Sequence, residues 1–316
     1  MLEVAQKYLG NILQDVARFT SKSLVKNLII LTCCVLFFFA QIFFPYAYYS
    51  SGNRASHSDF QVGVHYVYEQ DQLDQIYNEV AEIKNLGISV IRITLECNEN
   101  ADAYSTDLTN LKTSRLFEAT DQLDMDVALV IKNHDSNAKI DYYLNRWGGH
   151  LEYIQVLNEP ELSASWDVGA LFTDDEIITN FEQVYSVVES HHLSAQLYTN
   201  FGAGYILRSN VPIELSKSLD FVGLDVYMDA FLVLSPHFVE NLHSITGKEV
   251  VITEFGMSTS NSLAQSQFII KGLDLFRSMG LKGCWIAYWN SAEDYYGIRD
   301  RTAGIEVGEW IAENVN

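Results

Sequence analysis

Positive charge is scarce in this chain. Its 316 residues carry 20 Lys and Arg against 41 Asp and Glu, a formal net charge of −21. A nucleic-acid partner requires basic surface to neutralise phosphates, so that class is excluded. Polyanionic glycans are disfavoured for the same reason. Cysteine is rare as well. Cys33 and Cys34 lie in an apolar run, while Cys97 and Cys284 are isolated, and no spacing suits a zinc site or a redox pair. His191 and His192 are adjacent, whereas paired ligands on one helical face need a spacing of four. There is no G-x-S-x-G elbow for a serine nucleophile and no Walker-type loop for a nucleotide. The expectation is chemistry run by side chains, with no metal and no cofactor.

Apolar residues are abundant at 48%, enough for a large core. Their longest run, "LIILTCCVLFFFAQIFF" at 28–44, has no charge and is extended by the rings of Tyr46, Tyr48 and Tyr49. That length spans a bilayer as a helix. Lys7, Arg18, Lys22 and Lys26 outnumber Glu3 and Asp15 ahead of it, which keeps the N-terminus on the cytoplasmic side. A cleaved signal peptide fits less well, because its positive region would be unusually long and no clean small-x-small site follows. The expected organisation is a cytoplasmic segment at 1–27, a transmembrane signal anchor at 28–49, a small polar linker at 50–60 and a domain at 61–316. The expected location is the cell membrane, single-pass, with the domain outside and the lipid bilayer as partner of residues 28–49.

From residue 61 onward, short strand-like runs alternate with amphipathic segments. The runs are "VGVHY" (62), "SVIRITL" (89), "DVALVIK" (126), "YIQVL" (153), "SAQLYT" (194), "DFVGLDV" (220), "EVVITE" (249) and "KGCWIAYW" (282). They are apolar on both faces, as parallel strands under helices are. Leu73, Ile76, Tyr77, Val80 and Ile83 recur at helical spacing, with Gly87 placed as a C-terminal cap. Thr173 and Glu176 form a capping box ahead of Ile177, Ile178, Phe181, Val184, Tyr185 and Val188. Ala264, Phe268, Leu273, Phe276 and Met279 line a third helix before Gly280. Eight such repeats predict an α/β chain folded as a (β/α)8 TIM barrel, preceded by the N-terminal membrane helix. An open doubly wound sheet shares the rhythm, but "GVHYVYEQ" lacks the phosphate-binding glycine turn expected after its first strand.

In a barrel, the C-terminal strand ends converge on one catalytic face. Glu159 ends the fourth run and Glu254 the seventh. Strands four and seven face each other across the mouth, so two carboxylates can reach one bound molecule. Glycoside cleavage needs such a pair, one protonated to donate to the leaving oxygen and one ionised.

Asn158-Glu159-Pro160 and Thr253-Glu254-Phe255-Gly256 resemble the motifs of retaining glycoside hydrolases of clan A, most like family 5 with its cellulases and β-mannanases. The resemblance spans about residues 61 to 310. It implies Glu159 as general acid and base and Glu254 as nucleophile. It implies Asn158 as the partner of the sugar 2-hydroxyl, Arg92 beside the nucleophile, and Tyr227 as a donor to it. It also implies Trp289 as an aromatic floor and His134 as a substrate contact. Asp225 departs from the pattern, since family 5 often has His two positions before that Tyr. The implied function is a membrane-anchored retaining β-glycosidase acting on an extracytoplasmic oligo- or polysaccharide. A transglycosylase using the same glutamates and a non-catalytic glycan-binding barrel are the alternatives.

Overall fold

The computed structural model describes residues 60–68, 72–95, 108–133, 135–161, 173–206, 209–227, 236–290 and 296–315. The expected cytoplasmic segment and membrane helix, and the linker up to residue 59, lie outside the described residues. No helix among the described residues is long and apolar enough to cross a membrane.

Eight parallel strands close into a barrel in sequence order, with β1 pairing both β2 and β8. They are β1 (Gln61–His65), β2 (Val90–Thr94), β3 (Asp126–Ile131), β4 (Tyr153–Val156), β5 (Gln196–Gly202), β6 (Phe221–Tyr227), β7 (Glu249–Gly256) and β8 (Gly283–Ile286). Every expected run overlaps its strand. β5 continues past the expected end at Thr199 to Gly202, and β8 stops at Ile286, short of Trp289.

A helix follows each strand: α1 (Ile76–Asn85), α2 (Leu108–Leu123), α3 (Asn137–Trp147), α4 (Asp174–Ser190), α5 (Val211–Leu215), α6 (Pro236–Thr246), α7 (Ser262–Ser278) and α8 (Thr302–Asn314). Local chemistry accounts for their ends. Thr173 caps α4, and Glu176 reaches back to its backbone, closing the reciprocal capping box. Gly87, just beyond α1, takes φ +83°, where a Cβ is penalised. α4 buries Ile177, Phe181, Val184 and Val188 against the barrel. In α7 the buried face is centred on Gln265, Ile269, Leu273 and Phe276, so the predicted Ala264 and Phe268 sit at its margin.

The main core lies between strands and helices. A second apolar cluster fills the barrel interior: Val90, Ala128, Tyr153, Tyr198, Phe221, Val251 and Trp285. Side chains on a strand repeat every second residue, so the next inward positions are Arg92, Gln155, Asn200 and Thr253, with Asp225 four beyond Phe221. All five are almost completely buried. The interior therefore changes from aromatic to polar toward the strands' C-terminal ends.

Candidate active site

Arg92, 1% exposed, organises this polar layer. Its Nη2 lies 2.7 Å from Glu254 Oε1 and donates to Asn158 Oδ1, also at 2.7 Å. Nε donates to Gln155 Oε1 at 3.0 Å, and Nη1 lies 3.0 Å from His65 Nδ1. Burial opposes the Arg92 charge. Glu254 first, then Tyr198, Asp225 and Tyr227, more than reverse that, and its pKa stands above the ordinary value. Burial, with Arg92 and Lys132, holds His65 well below its usual range and so neutral at pH 7.

Glu254 reaches the interior through an irregularity in β7. Ile252 pairs with Leu224, but the next residue of β6, Asp225, pairs with Glu254. Thr253 is the extra residue, so Thr253 and Glu254 both turn inward, as a bulge allows. Glu254 accepts the Tyr227 hydroxyl as well as pairing with Arg92. The carboxylates push the Tyr227 phenol well above its usual range, reinforcing a larger effect of burial, so it stays a donor.

The exit of β4 is strained. Leu157 has φ 67° and Glu159 φ 38°, both left-handed without being glycine. Such residues cost about 1–3 kcal/mol each and persist where neighbours over-determine them. Here those neighbours are amides. Asn133 grips the Asn158 backbone on both sides, accepting its N–H at 3.0 Å and donating to its carbonyl at 2.6 Å. Asn200 Oδ1 accepts the Glu159 N–H at 2.8 Å. Gln155 Nε2 donates to the Leu157 carbonyl at 3.1 Å. Pro160 then restricts the backbone as the chain departs.

Glu159, Asp225 and Glu254 each present a carboxylate oxygen, and all three atoms lie within 4.8 Å of one another. Burial, then Glu254 and Glu161, push the Glu159 carboxyl up to about 8; Arg92 and a hydrogen bond with Asp225 work the other way. Asp225 is driven well above the carboxylate range by burial, Glu254 and Glu159. By distance alone three oxygens suit a cation, but two of the three groups are engaged. Glu254 has Arg92 and Tyr227, while Asp225 has Asn200 and Thr253. The cluster is built to hold protons next to an ion pair.

Of the expected site residues, Arg92, Asn158, Glu159, Tyr227 and Glu254 come together in this layer. His134 lies outside the described residues. Trp289 does not join them and the expectation is corrected. β8 ends at Ile286, so strand alternation no longer orients Trp289. Its N–H bonds the His65 carbonyl at 2.7 Å, and its ring, 1% exposed, packs in the outer core with the indole N–H on Glu79 Oε2 at 3.0 Å. Among the described residues, aromatics beside the site are Tyr288, stacked on His65 at 5.2 Å, and Tyr296, 5.6 Å from Tyr227. Sequence reasoning missed Gln155, Asn200, His65 and Asn133. For Gln155 a signal existed: a lone amide at an inward position of an otherwise apolar strand.

No protein-family model and no curated protein matches the sequence. Solved structures match the fold. The β-glucosidase from Thermotoga maritima in complex with cyclophellitol superposes with a TM-score of 0.61 at 11% identity, covering 82% of this chain and 98% of that one. The endo-1,4-β-D-mannanase from Thermotoga petrophila gives 0.58 at 13%, covering 80% and 99%. A GH5_18 protein from Streptomyces cattleya in complex with GlcNAc gives 0.59 at 11%, covering 81% and 80%. The chain shares the barrel fold of these proteins.

Proposed function

We propose that this chain is a retaining β-glycosidase that hydrolyses O-glycosyl bonds by double displacement. The observation that carries the reading is the approach of Glu159 and Glu254 oxygens to within 4.8 Å across the barrel mouth. Retention takes carboxyl groups roughly 5–5.5 Å apart, whereas inversion leaves roughly 6.5–9.5 Å for a water. The fold shared with a β-glucosidase and a β-mannanase points the same way.

In the first step a Glu254 oxygen bonds the anomeric carbon as the bond to the leaving oxygen breaks, and Glu159 gives that oxygen its proton. In the second, Glu159 takes a proton from water as the water oxygen displaces Glu254. Glu159 has to be an acid and then a base. Its neighbours supply the change: Glu254 is the foremost charge raising the Glu159 pKa, and that charge vanishes once Glu254 is esterified. Arg92, 2.7 Å from Glu254 Oε1, orients that carboxylate for the attack. Three donors, from Arg92, Gln155 and Asn200, converge on Asn158 Oδ1, which turns its NH2 into the donor for a sugar hydroxyl. Tyr288 and Tyr296 supply ring faces for the sugar in place of Trp289.

The substrate reading is an extracytoplasmic β-linked glycan, with residues 28–49 as the membrane anchor. This part rests on the N-terminal sequence alone. The test is turnover of aryl β-glycosides and β-linked polysaccharides by the full chain in detergent. Glu254→Gln is expected to abolish turnover while ligand affinity survives. Product released with inverted configuration, or unchanged turnover in that variant, overturns the mechanism. Glycan binding without turnover by the parent selects the binding-module alternative.

A further inference from the structure

Asp225, the departure noted in the sequence, sits between the two glutamates and is 1% exposed. Its Oδ2 accepts from Asn200 Nδ2 at 2.5 Å, and Asn200 Oδ1 in turn holds the Glu159 N–H. Its Oδ1 pairs with Thr253 Oγ1 at 2.9 Å. Thr253 is the bulged residue immediately before Glu254. Gly223, one inward step below Asp225, leaves the space where these groups meet. A Cβ there would lie 2.7 Å from Thr253 Oγ1 and 2.9 Å from Asn200 Cβ. One carboxyl group is thus tied on one side to the backbone of Glu159 and on the other to the bulge that aims Glu254.

We infer that Asp225 is a positioning residue for the double displacement, setting the spacing of Glu159 and Glu254 through Asn200 and Thr253. The inference rests on the glycosidase reading. It follows from what the geometry must achieve, because carboxyl separation selects the mechanism and a misplacement of about 1 Å can cost ~100-fold in rate. Asp225 also acts on the proton inventory. The titratable groups around it are Glu159 at the β4 exit, Glu254 on β7, Arg92 on β2, Tyr198 on β5 and Tyr227 on its own strand. Burial and the two glutamates favour its neutral form. A neutral carboxyl can donate to Glu159, and the hydrogen bond between them lowers the Glu159 pKa.

The test compares Asp225→Ala, which severs both links, with Asp225→Asn, which preserves shape and both polar ends. Thr253→Val serves as a third variant, losing only the hydroxyl. Full-length proteins are assayed on an aryl β-glycoside that the parent cleaves, and Glu159 is titrated by carbon-13 carboxyl NMR. Asp225→Ala is expected to lose about 100-fold in kcat with KM little changed. Its Glu159 midpoint moves upward, since the opposing hydrogen bond is gone. Asp225→Asn recovers most of both, and Thr253→Val falls between. A parent-like kcat and Glu159 midpoint in Asp225→Ala overturns the inference. If that variant does not fold, the same parent-like result in Thr253→Val does so. A parent without turnover counts against the glycosidase reading alone, while the Glu159 midpoints of the variants still decide the clamp.

Discussion

The Glu159 proton is the group most exposed to experiment. In the proposed mechanism the first bond cleavage consumes that proton, and the carboxyl is pushed up to about 8. For kcat/KM the expected outcome is a plateau at neutral pH and a decline as pH rises through about 8, measured on an aryl glycoside. Trp289 gives the opposite kind of prediction. Its indole N–H satisfies Glu79, a buried acid also paired with Arg299. Trp289→Phe is expected to cost about 1–3 kcal/mol in denaturant unfolding and to leave KM for sugars unchanged. A large KM effect would return Trp289 to the site. The contrast shows what could be read from the sequence at this scale. Glu159 and Glu254 are legible as a pair, two acids at the ends of the fourth and seventh runs with Asn158 and Pro160 flanking one of them, and Arg92 through the family resemblance. Trp289 is placed differently because its orientation depends on where β8 ends, and β8 stops pairing with both β1 and β7 at Ile286. Asn200 was hidden because its strand runs beyond the apolar residues that define it.

The strands and their order were almost wholly legible, since parallel strands buried on both faces leave continuous apolar runs. The β7 bulge was not, because a one-residue irregularity is a property of two strands together. Gly223 is where that irregularity meets its neighbours. Gly223→Ala is expected to cost about 1–3 kcal/mol of stability through overpacking against Thr253 and Asn200. It should lower kcat far more than the same change at exposed Gly149, whose Cβ would meet nothing within 4 Å. Comparing melting curves and turnover for the two variants checks this.

For the whole molecule, two acids held protonated by the fold make stability depend on pH. An unfolded Glu releases its proton near 4.5, while Glu159 keeps it to about 8. Between those values the folded state binds more protons, so unfolding free energy falls as pH rises. Denaturant midpoints taken from pH 5 to pH 8 should decline, and Glu159→Gln should flatten part of that slope. If residues 28–49 anchor the chain, the full-length protein should stay with membranes after alkaline extraction while residues 50–316 remain in the supernatant. Release of the full-length chain would remove the anchor.

The barrel has a sealed end. Tyr153, Tyr198, Phe221 and Trp285 close the interior beneath the polar layer, so neither solvent nor product can pass through the floor. On the proposed mechanism, a sugar attached to Glu254 would have no way out beneath the polar layer. Leaving group and acceptor would then both come and go on the side where the strands end. Whichever acceptor reached the proposed intermediate, water or a second sugar, would decide the product.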